Sequence, residues 1–206
     1  MSGNSLKGLN PSQLEAVTHG EGPLLVLAGP GSGKTRVIAH RISYLVNDLR
    51  VLPENILAVT FTNKAAGEMK KRVFDLGGGM AGGMWIGTFH SICLRILKAE
   101  VDFLPDYTKD FVVYDQDDQL NLLKSSLKEL DYGESFFVPK NVLSQFDQLE
   151  NSGLVSFRDD FYDSALGELY DFYKKELVRR NAMTFNDLLC VTNRLFSHHL
   201  NFKVHH

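Results

Sequence analysis

Cysteine is almost absent from this sequence. Only Cys93 and Cys190 occur among 206 residues, far apart and without metal-ligand neighbours. A disulfide framework and a structural zinc site are both poor fits, and a reducing cytoplasm is the expected setting. Long apolar runs are missing too: nothing approaches the ~18 uninterrupted apolar residues of a membrane span. The opening MSGNSLKGLNPSQ lacks the charged-then-apolar layout of a secretion signal. There is no excess of positive charge, since 22 basic residues face 25 acidic ones for a net of −3. Coating nucleic acid by bulk electrostatics calls for a strongly basic chain, so any such contact here has to be local. No internal repeat or low-complexity tail occurs. What is present is ordinary core-forming material, 44% hydrophobic and 23% charged, which excludes disorder. The length is about one and a third typical domains, hence one domain plus an insertion or small lobe.

The chain reads in two halves. From Leu9 to about Lys98, short apolar runs alternate with helical patterns, the rhythm of a parallel sheet built from βα units. PLLVLA (Pro23–Ala28) predicts a buried parallel strand, ILAVTFT (Ile56–Thr62) a second and MWIGTFH (Met84–His90) a third. Helices are predicted over Lys34–Leu49 and Asn63–Phe74, the latter capped by Thr62 or Asn63. GGGMAGG (Gly77–Gly83) reads as a surface loop. Beyond Ser91 the pattern is helical: His90–Glu100, Gln116–Leu130, Pro139–Asn151, Ser164–Arg180 and Thr184–His198. Pro139 suits a first helical turn and Thr184 a cap. FVVYD (Phe111–Asp115) imitates a strand delivering a carboxylate to magnesium, but its acidic sequel favours a helix start with Asp115 as the cap.

AGPGSGKT lies between the first predicted strand and the first long helix. It matches the G-x-x-x-x-G-K-[ST] phosphate loop except that Ala28 stands at the leading glycine. Gly29, Pro30, Gly31, Ser32 and Gly33 form a loop whose glycines let the backbone wrap a phosphate without side-chain clashes. The amides from Gly31 to Thr35, at a helix N-terminus, point at the anion. Lys34 supplies a mobile positive charge and the Thr35 hydroxyl completes a magnesium shell. The expected ligands are therefore ATP and Mg2+. The loop alone does not choose among kinases, GTPases, transporters and motors.

LNPSQLEAV (Leu9–Val17), AGPGSGKTRV, VTFTNKAAGEMKKRV (Val59–Val73) and GTFHS (Gly87–Ser91) occur in that order. Together they resemble four consecutive motifs of UvrD/PcrA/Rep-type superfamily 1 helicases, and FVVYDQDDQ and MTFNDLL extend the resemblance over nearly the whole chain. The fold implied is α/β, a P-loop NTPase (RecA-like) parallel sheet over residues 1–92. A mainly helical insertion lobe of 1B type is implied over residues 93–206. The activity implied for the parent is ATP-dependent 3′-to-5′ translocation and unwinding on single-stranded or partially duplex DNA, in the setting of DNA repair. Gln13 resembles the adenine-binding glutamine and Arg36 the arginine near the base. Read alone, each is a polar residue on a solvated helix. Thr60, Phe61, Asn63 and Lys64 resemble a motif touching single-stranded DNA, with Phe61 against a base and the others at the backbone. Thr88 and His90 resemble the next such motif. Outside the resemblance, Phe61 reads as core and His90 as a polar residue at a helix start.

The family's later strand ending in an Asp-Glu pair, which orders magnesium and activates water, has no counterpart before His206, nor has a second motor domain. The expectation is the first portion of a longer protein that binds nucleotide but hydrolyses it weakly, and whose incomplete sheet exposes an apolar edge. Two rivals remain at this stage, a P-loop small-molecule kinase and a non-catalytic, nucleotide-gated binding module.

Overall fold

The computed structural model describes residues 5–77, 83–133, 137–152 and 161–198. Two compact units divide between Ile92 and Cys93.

The first unit opens with α1 (Pro11–Thr18), a helix implied by the plain reading of Gln13 but given no bounds from the sequence. Its start is nonetheless written in NPSQ. Asn10 Oδ1 accepts from the Gln13 amide at 2.9 Å, Gln13 Oε1 accepts from the Asn10 amide at 3.2 Å, and Pro11 occupies the first helical position. Helix α2 (Lys34–Asn47) and helix α3 (Asn63–Asp75) follow, α3 being capped by the Thr62 hydroxyl on the Ala65 amide. Strands β1 (Leu57–Thr60) and β2 (Trp85–Thr88) pair in parallel, from Leu57 beside Trp85 to Thr60 beside Thr88. Ala39, Ile42 and Val46 of α2 share a helical face. They pack with Met69 and Val73 of α3 and with Ile56, Ala58, Met84 and Ile86 around the strands.

The predicted strand over Pro23–Ala28 is a correction. Those residues carry no strand, and Leu25 and Leu27 are 82% and 88% exposed. An apolar run becomes a parallel strand only when neighbours satisfy its backbone and cover both its faces. Among the described residues β1 pairs with β2 alone, and no strand lies along 23–28. The parallel sheet is thus a two-stranded pair rather than the three strands expected. One consequence is testable: Leu25→Lys and Leu27→Lys together are expected to alter the stability of this chain by under about 1 kcal/mol, as exposed positions do. A urea unfolding curve displaced by several kcal/mol would restore the buried-strand reading.

The second unit, with the helix that leads into it, comprises α4 (Phe89–Glu100), β3 (Val112–Val113), α5 (Gln116–Glu129), α6 (Pro139–Ser152), α7 (Phe161–Arg179), β4 (Ala182–Met183) and α8 (Phe185–His198). The predicted helices are all present, with ends displaced by at most three residues. Asp115 caps α5, its Oδ1 accepting from the amides of Asp117 and Asp118 at 2.9 Å each. That is the helix-start reading of FVVYD. The same segment also makes a short parallel pairing not foreseen, Val112 beside Ala182 and Val113 beside Met183. Asn181 sits at φ 49°, a left-handed position that asparagine tolerates. From there its side chain bonds the Thr108 amide and hydroxyl, fixing the turn into β4. Two apolar clusters hold the unit. One is built on Leu123, Phe137, Val142 and Leu169, the other on Leu97, Val101, Phe111 and Leu188. The predicted loop of Gly77–Gly83 falls mainly on residues 78–82, outside the described residues.

Candidate nucleotide and nucleic-acid site

The glycine-rich loop of residues 28–33 leads straight into α2. Gly31 and Gly33 have φ of 74° and 88°, a left-handed backbone that side-chain-bearing residues resist. At Gly33 a Cβ would also stand 3.2 Å from Gln13 Nε2. Because Gly33 is the last residue before α2, its conformation aims the loop at the first turn of the helix, where the amides have no intrahelical partner. Lys34 Nζ curls back over the loop, donating to Ala28 O at 3.2 Å and Gly29 O at 2.8 Å, and Ser32 Oγ donates to Gly29 O at 2.7 Å. The ammonium therefore lies against the backbone of the loop itself. Thr35 is half-buried beside it. The residue types fit a polyphosphate tail: two left-handed glycines in the loop, a lysine ammonium against it and a threonine next in the chain.

Gln13 reaches this loop from α1, its Nε2 donating to Ser32 O at 3.1 Å. Arg36 Nη2 donates to Gly8 O at 2.8 Å, and His40 Nδ1 lies 2.6 Å from Ser5 O. The segment preceding α1 is thereby held on α2. Gln13 and Arg36, distant in sequence, both border the loop.

The second group gathers at the carboxyl ends of β1 and β2. Thr60 and Thr88 are side by side in register, so the motif residues that follow them emerge as neighbours. Phe61 is 91% exposed, unlike the core residue its apolar strand implied, and Asn63 and Lys64 are exposed on the first turn of α3. Thr60 Oγ1 donates to Thr62 O at 3.0 Å. Thr88 is buried, and its hydroxyl accepts from the Ser91 amide at 3.2 Å as a cap on α4. His90 is half-buried on the first turn of α4. Sequence reasoning passed over Phe89, whose ring centroid lies 5.7 Å from that of Phe61. The signal was the repeated Thr-Phe at the end of each strand.

A separate charge cluster occupies the second unit, in a cleft of 580 Å3 lined by Tyr107, Tyr170 and Lys174 among others. Lys174 is paired with Asp187 and, at 3.1 Å, with Glu150. Burial works against the ammonium, but the two carboxylates outweigh it and hold Lys174 well above the ordinary lysine range. Asp187 Oδ2 also accepts from the Thr184 amide at 2.9 Å, and Thr184 Oγ1 accepts from the Asp187 amide at 3.1 Å. Its charges satisfy one another, as in a structural network. Among the described residues no group of three or more His, Cys, Asp or Glu side chains is placed to hold a metal ion, and no helix is long and apolar enough to cross a membrane.

Comparison with known proteins places these features in context. A family model described as the UvrD/REP helicase N-terminal domain matches residues 9–205. The chain is 42% identical over 201 residues to the ATP-dependent DNA helicase PcrA of Bacillus subtilis (strain 168), covering 95% of this chain and 27% of that protein. It is 41% identical over 196 residues to PcrA of Staphylococcus epidermidis, covering 93% of this chain, and 40% identical to PcrA of Staphylococcus aureus. It spans about a quarter of the length of these relatives.

Proposed function

The chain belongs to the UvrD/REP helicase N-terminal domain family, and from that premise we propose that it is the ATP-binding, DNA-contacting portion of an ATP-dependent DNA helicase. The observation that carries the proposal is the setting of Gln13. A side-chain amide has two N–H donors and two acceptor lone pairs. Here one donor is committed to Ser32 O and one lone pair to the Asn10 amide. The amide is thus held in one orientation at the loop, with one donor and one acceptor left over. Adenine offers the complementary pair, an N6 amino donor beside the N7 acceptor, whereas guanine offers two acceptors, O6 and N7. Base reading and phosphate cradling are joined by a single hydrogen bond.

In this reading the backbone from Ala28 to Gly33 wraps the phosphates, Lys34 neutralises them, the Thr35 hydroxyl meets Mg2+, and Arg36 flanks the base. ATP supplies the phosphoanhydride energy when bound. Phosphoryl transfer further requires carboxylate-held magnesium and an oriented water. We assign those to parts of the longer parent, so the 206-residue chain binds nucleotide without appreciable turnover. Thr60, Phe61, Asn63, Lys64, Thr88 and His90 form the DNA-facing end of the strands, Thr88 acting through its cap on α4. For the whole protein we propose translocation on single-stranded DNA with 3′-to-5′ unwinding, a polarity that rests on the family alone.

Calorimetric titration with Mg-ATP and Mg-GTP tests this. Wild type is expected to prefer ATP by about tenfold, the scale of one polar complementarity between bases. Gln13→Ala is expected to bring the ratio close to one. Absence of heat with either nucleotide, from folded chain, removes the reading.

A further inference from the structure

The two exposed phenylalanines at the strand ends form one unit. Thr60 and Thr88 are the last registered pair of β1 and β2, so Phe61 and Phe89 leave the strands side by side. Their rings meet at 5.7 Å with planes inclined by 48°. A 5.7 Å separation of inclined rings is direct aromatic contact, with no room for a base between them. Phe61 remains 91% exposed despite this contact, while Phe89 is 43% exposed and joins none of the three apolar clusters among the described residues.

The local sequence holds Phe89 where it is. Strand β2 ends at Thr88 and α4 begins at Phe89 with no connecting residue. The junction is tightly packed, and a Cβ on Gly87 would come within 2.4 Å of Ser91 Oγ. The Thr88 and Ser91 hydroxyls then lock the turn, one accepting from the Ser91 amide and the other donating to Thr88 O at 2.9 Å. Phe89 is therefore anchored at its backbone, whereas an isolated, nearly fully exposed Phe61 would sample its rotamers freely.

Building on the DNA-facing reading above, we propose that Phe89 is a positioning residue. It backs the Phe61 ring and holds it ready, so that one unpaired nucleobase stacks on the open face of Phe61. The physical gain is preorganisation, because a side chain already ordered loses less freedom on binding. The ligand class is a single-stranded nucleic acid with its base turned toward the protein, recognised by stacking and without regard to sequence.

The test compares binding of the 206-residue chain to a fluorescent oligothymidylate and to an abasic strand of the same length. Wild type is expected to favour the base-bearing strand. Phe61→Ala is expected to abolish that preference, a loss on the order of 10- to 100-fold for a stacked base. Phe89→Leu keeps an apolar side chain but no ring; it is expected to cut the preference on the order of fivefold while leaving abasic binding unchanged. Phe89→Tyr, which retains the ring, restores it. The proposal is overturned if Phe89→Leu keeps the full preference, or if it weakens both strands equally, which is the mark of a structural role. Should Phe89→Leu fail to fold, Phe89→Tyr decides alone, since loss of preference in that folded variant contradicts a role for the ring. A wild type that binds Mg-ATP but neither strand overturns the DNA-facing reading together with this one; a wild type that binds both strands equally overturns the stacking proposal and leaves that reading standing.

Discussion

Lys34→Ala is expected to lower Mg-ATP affinity on the order of 10- to 100-fold, the worth of a charge-assisted contact to phosphate. The variant is informative because the fold has little stake in the side chain. Lys34 begins α2, alanine is the best helix former there, and the side chain is exposed, bonding only loop carbonyls. Its removal takes one positive charge from the loop and leaves the left-handed glycines in place. Lys34→Arg is expected to fail as well, since a rigid planar fork does not replace a compact ammonium on a flexible stem. Calorimetry gives the affinity and thermal melting without nucleotide gives the control. Unchanged affinity in a folded Lys34→Ala variant means that the nucleotide does not bind at this loop.

The second large effect concerns stability. Lys174→Met is expected to destabilise the chain by about 2–4 kcal/mol, because it strands two carboxylates in a largely desolvated site. The Asp187 and Glu150 side chains are only 3% and 11% exposed. Arg179, paired with Glu176 on the surface, is the contrast, and Arg179→Ala is expected to change little. The same cluster predicts an alkaline limit. Folding raises the Lys174 pKa, and burial pushes Tyr107 up to about 12 and raises Tyr173 also. All three hold their protons more tightly folded than unfolded. Once pH passes the unfolded values near 10, the native state carries more protons and the slope of unfolding free energy against pH turns negative. These groups leave stability level from about pH 7 to 9, then lower it by about 1.4 kcal/mol per unit for each group. Lys174→Met removes one such proton, so its alkaline slope is expected to be shallower. Urea unfolding at a series of pH values measures both, and an unaltered slope would show that Lys174 does not titrate with folding.

Helix ends were legible in the sequence where a cap is a local hydrogen bond. Thr62, Asp115 and Thr184 each bond an amide two or three residues on, so their role needs no distant partner. Asn10 and Gln13 are equally local, a reciprocal cap written in NPSQ, and Gln13 in addition bonds the loop at Ser32 O. Pro23–Ala28 failed for the opposite reason: its apolar run is right for a strand, but pairing depends on chain that its own composition cannot specify. The core reading of Phe61 that its apolar strand offers fails in the same way, because a strand pattern does not reveal where the strand stops. For Phe89 the repeated Thr-Phe was a signal, but its meaning depends on the register of Thr60 with Thr88.

The sequence by itself determined a glycine-rich loop and its order before a long helix, and the positions of the helices from α2 onward. The family, too, is legible in consecutive motifs that span nearly the whole chain. Those follow from glycine's backbone freedom, from capping and from helical periodicity, all set within a few residues. Tertiary structure alone decided that β1 and β2 lie in register, that Phe61 and Phe89 touch, that the Gln13 amide is fixed on Ser32, and that Lys174 sits between Glu150 and Asp187. Each of these joins residues far apart along the chain, and such contacts exist only once packing has brought the elements together.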